Sequence, residues 1–144
     1  MPMPSDGTLR SVCRYLDERR LLTTEVFVLK PAYQKVQISS EIVALETADA
    51  AKVHDDIVAT LVEYFHALRG GDDRLGWPFG GTIYYSRVSQ RVFSVPGVAS
   101  ITRLTIVLDD EEQTDCTNVP IAAHGLLYSA EHTISVGYSV TEDA

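Results

Sequence analysis

The sequence predicts an α+β fold: a single domain with a small, mostly antiparallel or mixed sheet and about three helices packed on it. Three observations carry that prediction. A chain of 144 residues has the length of one domain, since single domains usually run to roughly 100–150 residues. With 45% apolar residues it can bury a real core without disulfides or metal. Stretches with helical apolar spacing alternate with stretches of period two, joined by hairpin-length and crossover-length connections, which places helices on one sheet face. The expected organisation is a flexible N-terminal segment over residues 1–7, one domain over 8–140 and an acidic tail over 141–144.

Leu9, Val12, Cys13 and Leu16 follow i, i+3, i+4, i+7 spacing, so a first amphipathic helix is expected there. Asp6 or Thr8 is its expected cap, Asp17-Glu18-Arg19-Arg20 its solvated end, and Cys13 a small core residue. Glu25 to Leu29 reads as a short strand stopped by Lys30-Pro31. Tyr33 to Leu45 alternates cleanly: Val36, Ile38, Ile42 and Ala44 share one face, and Lys35, Gln37, Ser39 and Glu41 share the other. One face is therefore buried and one wet.

Thr47 and Asp49 are N-cap candidates for the strongest helix. Val53, Ile57, Leu61 and Phe65 form its stripe, widened by Val58, Val62 and Leu68, and Gly70-Gly71 stops it. Asp72 to Gly81 reads as loop and Thr82 to Tyr85 as a short β-prone piece. Ser86 is expected to cap a helix carrying Val88, Val92 and Val95, ended by Pro96-Gly97. Ser100 to Leu108 reads as a strand with Leu104, Ile106 and Leu108 on one face. Beyond an acidic linker over Asp109 to Asp115, Leu126 to Ser129 is a weaker strand and Thr133 to Val140 a better one.

Charge is unevenly spread. Met1 to Arg103 holds all twelve Lys and Arg together with twelve acids, whereas Leu104 to Ala144 holds eight acids and no Lys or Arg. Phosphate backbones are bound through clustered cations, so nucleic acid and anionic membrane are not expected partners. No apolar run approaches the ~20 residues of a membrane span. Met1-Pro2-Met3-Pro4 lacks the basic and apolar regions of a signal peptide, so synthesis in the cytoplasm is expected.

Chemistry-bearing patterns are sparse. Glu63-x-x-His66 has a metal-site spacing but lacks the second copy a bundle site requires. His54 with Asp55 and Asp56 reads as an exposed helix face. Asp109, Glu111, Gln113 and Asp115 alternate like calcium-loop ligands, yet Thr114 and Pro120 stand where Gly and Glu are needed. Cys13 and Cys116 form no C-x-x-C pair and have no His at zinc spacing. Ser129, Glu131 and His132 hold the residue types of a nucleophile system, but strand alternation would send His132 to the opposite side. The expectation is thus no enzyme, with no catalytic, cofactor-binding or metal residues and no cofactor. The segment that calls for an explanation is Gly76-Trp77-Pro78-Phe79-Gly80, two aromatics in a glycine-bounded loop. Such a loop either plugs the core or presents Trp77, Pro78 and Phe79 as an assembly contact.

Tyr15-Leu16-Asp17-Glu18-Arg19-Arg20-Leu21-Leu22-Thr23-Thr24-Glu25-Val26 resembles the YLDERRxLTTxV segment of baseplate assembly proteins of the baseplate J-like family. Pro31-Ala32-Tyr33-Gln34-Lys35-Val36 is similar to that family's next strand entry. Gly76-Trp77-Pro78-Phe79-Gly80 followed by Val95-Pro96-Gly97-Val98 is similar to its GWPFG and VPGV pattern, and Leu127 to Thr133 to its end. The resemblance spans roughly Asp6 to Val136 and implies the C-terminal part of a longer wedge protein, in a phage tail or a related contractile injection particle. It implies a structural protein whose partners are other baseplate subunits (wedge, hub or sheath-proximal proteins) and possibly itself, assembled into a virion or particle. The competing expectation from the residues is a small enzyme or ligand-binding domain with a cleft near His66 and the Trp77–Phe79 loop.

Overall fold

The computed structural model describes residues 2–139; Val140 and the acidic tail expected over 141–144 lie outside the described residues. The fold is α+β, as the sequence predicts. Elements follow in the order α1 (Asp6–Asp17), β1 (Ala32–Ala44), α2 (Ala50–Tyr64), β2 (Thr82–Ile83), α3 (Tyr85–Phe93), β3 (Val98–Leu108), β4 (Glu111–Glu112), β5 (Val119–Pro120), β6 (Gly125–Ser129) and β7 (Thr133–Tyr138).

The main sheet is built around β1. Its alternation buries Val36, Ile38, Ile42 and Ala44, with Ser40 on the same face, where the Ser40 hydroxyl donates to the Arg103 carbonyl at 2.7 Å. β3 pairs antiparallel along one side of β1, from Val36 opposite Leu108 to Ala44 opposite Val98, with two irregularities in the register. On the other side, β6 pairs in parallel with Ala32–Val36 and β7 in parallel with Ser39–Ala44. β6 and β7 therefore lie end to end along one edge of β1. β4 continues the sheet beyond β3, and β2 with β5 forms a separate two-stranded piece.

The acidic linker is a hairpin turn. Leu108 pairs with Glu111, and Asp109 and Asp110 both take positive φ, 50° and 67°, the backbone of a two-residue type I′ turn. Asp109 accepts from the Lys35 backbone N–H at 2.9 Å, and Asp110 pairs with the Lys35 ammonium. These local bonds explain why two aspartates hold a geometry usually left to Asn-Gly.

α2 and α3 cover the apolar sheet face. α2 buries Val53, Ile57, Leu61 and Tyr64, and α3 buries Val88 and Val92. Val62 and Leu68, expected to widen the α2 stripe, are exposed: Val62 lies off the face that buries Val53, Ile57, Leu61 and Tyr64, and Leu68 lies beyond the helix, which ends at Tyr64. Asp49 caps α2 by accepting from Ala51 N–H at 3.0 Å. Its replacement, Asp49→Ala, is expected to lower stability by about 1 kcal/mol, whereas Ser5→Ala at the cap of α1 should leave the melting transition in place. Thermal unfolding followed by circular dichroism compares the two.

Four sequence expectations are corrected. α1 starts one residue after Ser5, whose side chain accepts from Thr8 N–H, so neither Asp6 nor Thr8 is the cap. Cys13 is not a core residue: α1 buries no side chain, and Cys13 is half-exposed. The sheet-facing helices are thus α2 and α3. Glu25–Leu29 forms no strand: β-prone residues need a ladder partner, and this segment pairs with none of the strands. Ser86 does not cap α3, which begins at Tyr85; the Asn118 side chain instead accepts from Tyr85 N–H at 3.2 Å.

Candidate functional site

The loop after α2 divides its two aromatics between two roles. Gly70 and Gly71 close the helix: a Cβ on Gly70 would lie 2.3 Å from the Tyr64 carbonyl oxygen, and Gly71 takes φ 79°. Gly71 N–H donates to that same carbonyl at 2.8 Å. The chain then returns, with Gly76 N–H donating to Gly70 O and Trp77 N–H to Ala67 O, each at 3.0 Å. This places the Trp77 indole over the helix end, where its Nε1–H donates to Tyr64 O at 2.7 Å. The ring stacks on Phe65 at 5.8 Å and 13°, and meets Tyr64 edge-on at 5.3 Å. Trp77 is 8% exposed. It is a core plug that also gives the Tyr64 carbonyl, which has no helical partner at the end of α2, a second donor beside Gly71 N–H. Pro78 and Phe79 are exposed, Phe79 by 60%.

Beside Phe79 runs an apolar groove of about 490 Å³ whose walls include Tyr33, Leu68, Leu75, Trp77, Phe79 and Leu126. Pro2, Met3 and Pro4 lie along it, and the Tyr33 hydroxyl donates to the Pro2 carbonyl. Burial raises the Tyr33 pKa above the usual tyrosine value, so the hydroxyl keeps its proton at neutral pH. His66 is not among the groove residues. Its Nδ1 accepts from Leu68 N–H at 3.2 Å, while Glu63 takes Arg69 Nε at 2.9 and 3.2 Å. The Glu63 and His66 side chains thus serve separate local contacts.

Contrary to the alternation argument, Ser129 and His132 do meet. β6 ends at Ser129 and β7 starts at Thr133, so Ala130, Glu131 and His132 bulge out of the line beside β1. Ala130 N–H donates to Val36 O, and the Gln37 side chain donates to Glu131 O. The next β1 donor, Ile38 N–H, has no strand carbonyl opposite and donates to His132 Nδ1 at 3.0 Å. The neutral ring must then carry its proton on Nε2, which donates to Ser129 Oγ at 2.7 Å. A nucleophile's general base needs a free lone pair at that nitrogen; here it holds the proton, so the pair is a structural bridge. Burial pushes the His132 pKa down to about 4, because the charged ring loses hydration without gaining a counter-charge.

Among the described residues, no group of three or more His, Cys, Asp or Glu is placed to hold a metal ion, and no helix is long and apolar enough to cross a membrane.

The N-terminal arm carries an unpartnered apolar surface. α1 and the following coil leave the domain and return at Lys30, whose ammonium pairs with Asp6 at 2.7 Å at the base. Leu22 is 100% and Phe27 77% exposed, and Leu21 and Leu29 are also exposed. The sequence places Phe27 and Leu29 in an expected strand and leaves Leu21 and Leu22 between that strand and the first helix; their apolar character is legible there, their lack of a partner in the same chain is not. The chain matches no protein-family model, and no curated protein matches it.

Proposed function

We propose that this chain is a structural baseplate component of the wedge type, made in the cytoplasm and assembled by protein–protein contacts into a phage tail or a contractile injection particle. It acts without catalysis. One observation supports this reading above the others: the arm from α1 to Leu29 leaves large apolar side chains in water. A twelve-residue helix is marginal in water on its own, and apolar patches of this kind mark surfaces made to be covered. The arm also contains the Tyr15–Val26 stretch in which the resemblance to baseplate J-like proteins is densest. The acidic, cation-free region from Leu104 onward suits a component that avoids the nucleic acid a tail delivers. The partners on this reading are neighbouring wedge, hub or sheath-proximal subunits.

The arm provides the test. Leu22→Asp together with Phe27→Asp should leave the melting temperature within about a degree, because neither side chain is buried, and should abolish incorporation into particles. Incorporation is read by mass spectrometry of sedimented particles from cells that carry the variant gene. Normal incorporation of the double variant would remove the arm from the assembly mechanism.

A further inference from the structure

We propose that the hollow at the C-terminal end of α2 binds an acidic peptide segment of a partner protein through Arg74 and Arg91. The hollow measures about 370 Å³. Tyr64 and the Gly70–Gly71 turn lie along it, and Arg69, Arg74 and Arg91 line it against one carboxylate, Glu63. Its lining therefore carries three cations and one acid, in a chain whose net charge is −8.

The arginines divide by what the fold already asks of them. Glu63 holds Arg69 at 2.9 Å. Asp72 and Asp73 line the adjacent hollow, where Asp72 pairs with Arg87 and accepts from the Tyr64 hydroxyl at 3.2 Å. Among the described residues, neither Arg74 nor Arg91 has a carboxylate partner. The Arg91 guanidinium lies 5.1 Å from the centre of the Tyr64 ring and donates to the Asp72 backbone carbonyl at 3.2 Å. A guanidinium has five N–H donors, so most of that fork is left over. The helix end does not need these cations either. The carbonyls of Glu63, Tyr64 and His66 crowd around Gly70, and they take backbone N–H donors from His66, Gly71 and Gly70 in turn. Two guanidinium forks beside an aromatic ring suit bidentate capture of carboxylates.

Backbone chemistry selects a peptide carboxylate over a free phosphate. Phosphate cradles use converging backbone N–H groups. Here Gly70 N–H and Gly71 N–H are already spent on His66 O and Tyr64 O, each at 2.8 Å. The chain's overall negative charge does not forbid an acidic ligand, because physiological salt screens exposed charges beyond about 8 Å and the nearest groups decide. This inference stands on the hollow itself and holds whether or not the baseplate reading is right.

The test uses the intact chain and a fluorescein-labelled hexapeptide of alternating Asp and Glu, with its Asn/Gln counterpart as the neutral probe. Binding is read by fluorescence anisotropy at low salt. The acidic peptide should bind and the neutral one should not. Arg74→Gln with Arg91→Gln should weaken binding about tenfold or more. Arg74→Gln alone, at an exposed position, should keep the melting temperature and still weaken binding several-fold. Lys52→Gln, a cation of α2 outside the hollow, should leave it unchanged. Absence of binding, equal binding of the neutral peptide, or undiminished binding in both arginine variants would overturn the proposal. So would displacement of the peptide by inorganic phosphate at matched ionic strength, since a free oxyanion would then be the occupant.

Discussion

Trp77→Ala is expected to destabilise the domain by about 3–5 kcal/mol, the usual cost of removing a buried aromatic. At about 2–4 °C per kcal/mol for a chain of this size class, the melting temperature should fall by roughly 10 °C. Two losses combine. The first is the stack on Phe65 and the edge contact with Tyr64. The second is the Nε1–H bond at the end of α2, which leaves Tyr64 O with Gly71 N–H alone. Trp77→Phe separates them: it keeps an aromatic plug and loses the bond, at an expected cost of about 1–2 kcal/mol beyond the change in volume. Phe79→Ala, three-fifths exposed in the same loop, should cost less than about 0.5 kcal/mol. Equal destabilisation by Trp77→Ala and Phe79→Ala would contradict this division of the loop.

The second large effect is acid sensitivity through His132. Burial pushes its pKa down to about 4 in the folded chain, against the usual histidine value of 6.5. Between those values the unfolded chain binds more protons, so stability falls as pH drops. The full contribution is present above about pH 6.5 and is lost progressively toward pH 4; one pKa unit corresponds to 1.36 kcal/mol, so the loss reaches about 3 kcal/mol. The cause is geometric as well as electrostatic. Protonation turns Nδ1 from acceptor to donor facing Ile38 N–H, so the bridge holding the β6–β7 bulge to β1 fails. His132→Asn keeps a short side-chain acceptor and removes the titration, and should flatten the pH dependence between 4 and 6.5. His132→Leu should cost about 1–3 kcal/mol at neutral pH by leaving Ile38 N–H unpaired. Urea titrations of the three proteins across that pH range measure both effects, and an unchanged slope in His132→Asn would remove His132 as the source.

The framework of the domain was legible because its pattern and its partners agree. β1 alternates, and both its sides find ladders; α2 carries a stripe, and that stripe meets the apolar face of the sheet. Where pattern and partner separate, the sequence misleads. Val26, Phe27, Val28 and Leu29 have strand composition, yet pairing is a property of an edge elsewhere in the fold, and the sides of β1 are taken by β3, β6 and β7. The Leu9–Leu16 stripe likewise reads as a core face, although α1 buries nothing. β5 is two residues long, too short to leave a period. The meeting of Ser129 with His132 depends on a three-residue bulge that breaks alternation, and alternation was the rule used to separate them. The Trp77 loop was legible as a choice between plug and contact; placing Trp77 inside required knowing that the α2 carbonyl end lies beneath it. Each failure marks a place where a partner, a bulge or a distant cap decides, and one of them, the arm, falls at the surface proposed for assembly.

Membership of a contractile particle is the proposal for this chain, and co-sedimentation tests it most directly. Particles released from cells that produce the protein would be purified on a density gradient, and each fraction quantified by mass spectrometry for this chain and for sheath and tube proteins. On the proposed reading, the chain peaks with intact particles at a fixed ratio to the tube protein and remains after a salt wash. A chain that stays at the top of the gradient while sheath and tube migrate together would contradict it.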